Sequence, residues 1–478
     1  MGKPNILFIL IDDLGWRDLS CYGSAFYETP NLDRLAREGV LFTNAYASCP
    51  VCSPTRASIM SGKYPARVGI TNWIPSKDEG KLANVPYLHY LPLEEKSLAS
   101  SLREQGYQTW HVGKWHLGDE PFYPQHHGFD VNVGGCHWGA PKTYVSPYGI
   151  PGLPDGPAGE YLTDRLTDEA IRLIRSRGEK PFFLNLWHYA VHVPIQAPEA
   201  LVEKYRAKAK AMQIDRVDPL VVGDWFGLTR KLDQRIVRRV LQSDPRYAAM
   251  VENLDTNIGR VLRTLDEEGL RDDTLVVFTS DNGGLVTCES PVRSLDSTPT
   301  CNLPLAWGKG WTYEGGTRVS LIARWPKVVP AGRRCQTSTT STDFYPTFLE
   351  ACGAPLMPEQ HCDGVSLMPL LRGGEGLGRE ALYWHYPHYS PQGGRPAASI
   401  LAGDWKLIEY FEDGRVELFN LRDDISETRD LSQAEPERAK QLLAKLKAWQ
   451  LDGEAQIPKP NPNWREPVRP KIPNNAHE

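Results

Sequence analysis

Two stretches of this sequence run apolar to their ends and then stop on acidic or amide pairs. Pro4 to Ile11 reads PNILFILI and halts at Asp12-Asp13-Leu14-Gly15, while Thr274 to Ser280 reads TLVVFTS and halts at Asp281-Asn282-Gly283-Gly284. A strand that lacks the polar alternation of a half-exposed sheet is covered on both faces. Such strands form the centre of a parallel sheet with helices on either side. Open α/β sheets place ligands at the carboxyl ends of their strands, which is where both pairs fall. Adjacent carboxylates are costly there unless a cation joins them. Asp12, Asp13, Asp281 and Asn282 offer only oxygen donors, a set that selects calcium or magnesium over zinc or copper. For either pair alone the plain alternative is one capping aspartate beside a solvated neighbour.

A chain of 478 residues is long for one core. The expected fold class is α/β, with a mostly parallel central sheet flanked by helices over residues 1–372. A Gly-rich break at Leu371-Arg372-Gly373-Gly374 then leads to a smaller α+β subdomain over residues 373–478. Its strands are expected at Ala381–His385, Ser399–Ala402, Trp405–Phe411 and Val416–Leu421, as an antiparallel sheet. A helix over Glu437–Leu451 would cover it with Leu442, Leu446 and Trp449, and the tail from Pro458 should be extended. Asp244-Pro245 caps and opens another helix, running to Glu268, with Met250, Leu254, Ile258 and Val261 on one face. Ahead of that helix, Lys204–Val240 is rich in Lys and Arg and broken by Pro219 and Gly223. It reads first as an exposed helical excursion and second as an element covering a pocket.

A net charge of −5 without a basic block gives no footprint for nucleic acid. The apolar run Ile6–Ile11 is too short to cross a membrane, and no small-residue cleavage site stands behind it. Nine irregularly spaced cysteines suit neither a disulfide framework nor a structural zinc site. These features lead us to expect a cytoplasmic protein with no membrane partner. An exported location is the alternative if a leader precedes the given sequence.

Cys52 to Gly62 reads CSPTRASIMSG. Ser53 can cap a helix, Pro54 suits its first position, and Gly62 is a natural stop. Cys52 would then sit at a helix N-terminus, which favours negative charge, with Arg56 one turn on. Three readings compete for it: a small buried residue, a thiolate nucleophile, and a precursor of something else.

Cys-x-Pro-x-Arg followed by Ala-Ser and Ser-Gly resembles the signature of the type I sulfatases of the alkaline phosphatase superfamily. Five further segments keep that family's order. They are the two strand-end pairs, Gly113-Lys114-Trp115-His116, His188 through His192-Val193-Pro194, and Gly308-Lys309-Gly310 before Glu314-Gly315-Gly316-Thr317-Arg318-Val319. Together they span about two thirds of the chain. The resemblance implies an alkaline-phosphatase-like catalytic domain. It also implies a cation, calcium before magnesium, bound by Asp12, Asp13, Asp281, Asn282 and the group at Cys52. That group would be formylglycine, made from Cys52 by a formylglycine-generating or anaerobic sulfatase-maturing enzyme, and Arg56 would hold it. Lys114, His192 and Lys309 would grip the sulfate, with His192 or Lys309 protonating the leaving alcohol. His116 would assist release of sulfate, Asp12 or Asp13 could act on the nucleophile's proton, and His188 would be structural or at the substrate edge.

The expected reaction is hydrolysis of a sulfate monoester, on a sulfated carbohydrate or an aryl sulfate. Trp384-His385-Tyr386-Pro387-His388-Tyr389 resembles the carbohydrate-sulfatase branches, so His385 and His388 either reach the pocket or simply pack the subdomain. Two further readings stay open. One is a phosphonate monoester or phosphate diester hydrolase on the same fold; the other is a silent sulfosugar-binding protein.

Overall fold

The computed structural model describes residues 2–288 and 298–469. Among these residues the main sheet has nine strands. In chain order they are β1 (Asn5–Ile11), β2 (Val40–Tyr46), β3 (Gln108–Gly113), β4 (Val131–Val133) and β5 (Phe182–Trp187). After a separate hairpin, β6 (Leu220–Trp225) and β7 (Arg235–Arg239), come β8 (Thr274–Ser280), β9 (Arg318–Arg324), β10 (Arg333–Cys335) and β11 (Thr339–Thr340). The order across the sheet is β10-β2-β9-β8-β1-β5-β3-β4, with β11 also on β2. Strand β9 runs antiparallel to its neighbours β2 and β8; the other described pairings of this sheet are parallel.

The apolar run of β1 is explained by its two covered faces. Leu7, Ile9 and Ile11 point into one core, shared with helices Leu162–Arg175 and Pro245–Glu267. Ile6, Phe8 and Leu10 point into the other, where Phe8 meets Phe344 and Phe348 at centroid distances of 4.9 and 5.4 Å. All seven residues of the strand are buried. Burying each large side chain of this kind contributes roughly 1.5–3 kcal/mol, so the strand is a fixed base for the Asp12-Asp13 loop at its end.

Helix Pro245–Glu267 begins as expected, with the Asp244 carboxylate accepting from the N–H groups of Arg246 and Tyr247. The helix at Cys52 has that residue at its N-terminus, as expected, but starts two residues before Pro54. It spans Cys52–Ser61 with Val51 as the flanking residue, so Ser53 does not cap it; the Ser53 hydroxyl accepts from the Ile74 N–H instead. Gly62 ends it in the left-handed conformation, φ +73°.

The second sheet is β12 (Leu382–Tyr386), β13 (Ala397–Ala402), β14 (Trp405–Tyr410) and β15 (Val416–Asn420), antiparallel in that order. Helix Pro436–Asp452 lies on it, burying Leu442 and Leu446, while Trp449 stacks on Tyr383 at 4.9 Å. Lys204–Val240 is where the first expectation fails. Helix Glu199–Ala211 accounts for its start, but β6 and β7 then pair as a hairpin. Pro219 and the run Leu220-Val221-Val222 favour extended backbone over helix. No helix among the described residues is long and apolar enough to cross a membrane.

Candidate active site

Strand register brings the separated motifs together. Ile11 of β1 lies beside Ser280 of β8, so Asp12-Asp13 and Asp281-Asn282 leave the sheet side by side. On the other flank Leu10 pairs with Trp187 of β5, and Trp187 pairs with Gly113 of β3. The loops carrying His188–His192 and Lys114–His116 therefore emerge at the same edge. Gly113 is required there: its φ is +104°, and a Cβ would fall 2.0 Å from the Trp187 carbonyl oxygen. Asp13 and His116 themselves adopt φ of +62° and +60°, a conformation that costs a side-chain-bearing residue about 1–3 kcal/mol.

Three carboxylates and three cations interlock beneath the surface. Arg56 is wholly buried; its Nη2 and Nε lie 2.8 and 2.9 Å from Asp281 Oδ2, and its Nη1 donates to the Lys114 carbonyl at 2.9 Å. The Lys114 ammonium donates to Asp12 Oδ2 at 2.6 Å. Lys309 donates to Asp13 Oδ2 at 2.8 Å, and the Asn282 amide donates to Asp13 Oδ1 at 2.8 Å. Burial works against the Asp13 charge, but Lys309 first and Lys114 after it outweigh it and hold its carboxyl below the usual range. For Asp12 burial wins over the pull of Lys114 and pushes the carboxyl well above that range.

The two histidines differ in role. His116 places Nδ1 3.4 Å from Cys52 Sγ and donates its Nε2–H to the Ile74 carbonyl, so the lone pair of its other nitrogen faces position 52. Burial, then the Lys114 charge, keeps this imidazole neutral by holding its pKa well below the ordinary value. His192 donates Nδ1–H to the Val193 carbonyl at 2.9 Å. Its Nε2, 2.9 Å from Lys309 Nζ, must then accept, because two donors cannot share that contact. Burial also raises the Cys52 thiol, against Lys114 and Lys309, so this sulfur is not an activated thiolate.

A cavity of about 570 Å³ opens over this cluster. Cys52, His116, His192 and Lys309 stand on its wall; Asp12, Asp13, Asp281, Asn282, Arg56 and Lys114 lie beneath. The deeper residues fit a hard cation. Asp12 Oδ1 and Asn282 Oδ1 are buried with no hydrogen-bond partner among the described residues, and one ligand atom each from Asp12, Asp13 and His192 lies within 4.8 Å of the others.

For three other histidines the structural reading is the one that holds. His188 is fully buried with both ring nitrogens unpartnered among the described residues, and burial lowers its pKa to about 3; it reaches no substrate. His385 packs on the Gln456 carbonyl and His388 on Thr71 and Asn84, and neither lines the cavity. The second sheet instead reaches the cavity through Pro391 and Gln392. The hairpin reaches it too, through Arg230, so the covering-element reading of that segment is the one the structure supports. Trp73, Trp138 and Lys142 complete the wall from loops whose sequences carry no signal beyond isolated aromatic and basic residues.

Comparisons with known proteins give the family. The sulfatase family model matches residues 4–354, and a model described as N-sulphoglucosamine sulphohydrolase, C-terminal, matches residues 306–454. A protein of Formosa agariphila described as a sulfatase is 32% identical over 95% of this chain and 90% of its own length. Human N-acetylgalactosamine-6-sulfatase is 31% identical over 80% of this chain and 68% of its own. The crystal structure of Ps i-CgsB superposes with a TM-score of 0.74 at 30% identity, covering 97% of this chain and 94% of that one. Six motifs in one order, gathered by strand register around one cavity, have the same explanation: the chain belongs to the sulfatase family and is a sulfuric ester hydrolase.

Proposed function

We propose that the chain hydrolyses a sulfate monoester carried by a sugar, of galactose or hexosamine type, with formylglycine at position 52 and calcium in the acidic cluster. The observation that carries this reading is the placement of Cys52, His116, His192 and Lys309 on one cavity wall, directly above Asp12, Asp13, Asp281 and Asn282. Support for a sugar comes from the N-acetylgalactosamine-6-sulfatases among the relatives and from Ps i-CgsB, solved with k-i-k-neocarrahexaose at 29% identity.

Cys52 Sγ stands where the oxygens of formylglycine would be. Formylglycine, made by a separate maturing enzyme, would supply a hydrated aldehyde with one hydroxyl to attack sulfur and a second to release sulfate. A cation held by Asp12, Asp13, Asp281 and Asn282 would supply Lewis-acid stabilisation of sulfate and nucleophile oxygens. Arg56 fixes Asp281 and the Lys114 carbonyl, and Lys114 fixes Asp12, so the donors are set before substrate arrives. His116, neutral and with its Nδ1 lone pair facing position 52, is placed to accept a proton there. Lys309 carries the transferable proton of the Lys309–His192 pair, because the His192 Nε2 accepts from it. Lys309 is therefore the general acid for the leaving alcohol, and His192 orients it.

The test has two arms: mass spectrometry of the peptide containing position 52, and sulfate release from a panel of sulfated sugars, nitrophenyl sulfate, phenylphosphonate and phosphate diesters. An aldehyde at position 52 with turnover of sulfated sugars supports the proposal. Turnover confined to aryl sulfates, or to phosphonates and diesters, overturns it. A protein of Agrobacterium radiobacter, a phosphonate monoester hydrolase, superposes with a TM-score of 0.65 at 23% identity, a likeness of fold alone.

A further inference from the structure

Beyond the residues placed to grip one sulfate, the cavity wall carries two more cationic side chains. In the buried cluster each cation already faces a carboxyl group, Arg56 at Asp281, Lys114 at Asp12 and Lys309 at Asp13. Nearer the mouth the wall adds Lys142 and Arg230, and among the described residues no Asp or Glu side chain lines it. Arg230 is held by a bidentate pair with Asp78, at 2.7 and 3.1 Å, yet its side chain stays 54% exposed while Asp78 is 9% exposed. The pair thus points its guanidinium, not its carboxylate, toward the opening. Lys142 makes no ion pair with any described carboxylate; its ammonium lies 4.6 Å from the Trp138 ring centroid. That contact extends the lysine along an aromatic wall.

Both groups are positioned by the machinery itself. Trp138 precedes and Lys142 closely follows Gly139, whose backbone lies against the His116 ring: a Cβ there would fall 2.5 Å from His116 Cε1. Arg230 sits at the tip of the β6–β7 hairpin, and the neighbouring Lys231 ammonium donates to the Pro391 carbonyl at 2.7 Å, tying that tip to the loop from the second sheet. Trp73 lines the same cavity. Aromatic faces beside cations are the chemistry that recognises a sugar ring bearing an anion.

We infer that the substrate carries a second anionic group, a sulfate or a carboxylate, next to the sugar bearing the scissile ester, and that Lys142, with Arg230, reads it. This rests on the sugar-sulfate reading above. The carboxylate and second-sulfate sources share one recognition chemistry, and the assay separates them.

The experiment compares kcat/KM for three substrates of one sugar series: a monosulfated unit, the same unit with a second sulfate, and the same unit joined to a uronate. The expected result is a preference of about fivefold or more for at least one doubly anionic substrate, expressed mainly in KM and shrinking as salt is raised. Lys142→Met, which keeps the stem and removes the charge, should erase most of the preference, and Arg230→Gln should reduce it. Because the readout is a ratio of substrates within one protein, partial loss of folded enzyme cancels. Equal kcat/KM for all three substrates, or a preference unchanged in Lys142→Met, overturns the inference while leaving sugar-sulfate hydrolysis intact. Failure to release sulfate from any of the three overturns the underlying reading instead.

Discussion

Removing Arg56 is the sharpest test of how the site is held together. Its guanidinium is wholly buried, 2.8 Å from Asp281 Oδ2, and lies 5.1 Å from the Trp187 ring centroid. Burial opposes its charge, but Asp281 and Asp12 beside it more than compensate and keep its pKa above the ordinary arginine value. Arg56→Ala strands the Asp281 carboxylate in the interior, a loss of about 3–5 kcal/mol for a buried pair broken on one side. It also leaves the Lys114 carbonyl without its donor, about 1–3 kcal/mol more. The two effects overlap, since both come from one side chain, and the expected total is about 4–6 kcal/mol. Against a typical domain stability of about 5–15 kcal/mol, that leaves a marginal fold. The assay is denaturant unfolding in a chelating buffer, repeated with calcium. The variant should be least stable in chelator and recover part of its loss with calcium, which would take over compensation of Asp281. Arg56→Lys keeps charge but not the planar fork, and should fall between. An Arg56→Ala protein that unfolds within about 1 kcal/mol of the parent in chelator would refute the charge-compensation argument.

Three further outcomes are expected. Lys309→Ala should lower kcat by about 10²–10³-fold on a sugar sulfate. The loss should be much smaller on nitrophenyl sulfate, whose leaving group needs no proton; equal losses would remove Lys309 as the acid. Gly394→Ala would place a Cβ 1.8 Å from the Gly310 carbonyl oxygen, beside Lys309. Overpacking of this kind costs about 1–3 kcal/mol and should displace Lys309, so activity should fall well before the melting curve does. Glu427→Gln tests the buried cluster in which Lys406 pairs with Glu427 at 3.0 Å and with Glu314 at 2.9 Å. Burial, against the pull of Lys406, raises the Glu427 carboxyl from 4.5 to about 8. A raised carboxyl contributes stability that is complete below 4.5 and lost as pH rises to about 8. The stability of Glu427→Gln relative to the parent should therefore climb with pH across that window and level off above it; a flat difference would contradict the assignment.

The sequence by itself determined the centre of the molecule and the chemistry placed there. Unbroken apolar runs in β1 and β8 can be satisfied only by cover on both faces, so they report a central parallel strand directly. The residues that end them are read from local pattern alone, as is the Asp244-Pro245 start of its helix. Tertiary structure decided everything that depends on which loops meet. His188 and His192 sit four residues apart in one loop, yet one is sealed inside with no described partner and the other faces Lys309. By sequence His385 and His388 could be site residues or packing; the structure makes them packing, while Pro391 and Gln392 next to them reach the cavity. The hairpin that carries Arg230 reads as helix because its charges are dense, but its grip on Asp78 and Pro391 involves residues more than a hundred positions away. Local pattern reports which face of an element is buried. It cannot report the far side of a cavity, whose walls come from loops set by the register of strands that are distant in sequence.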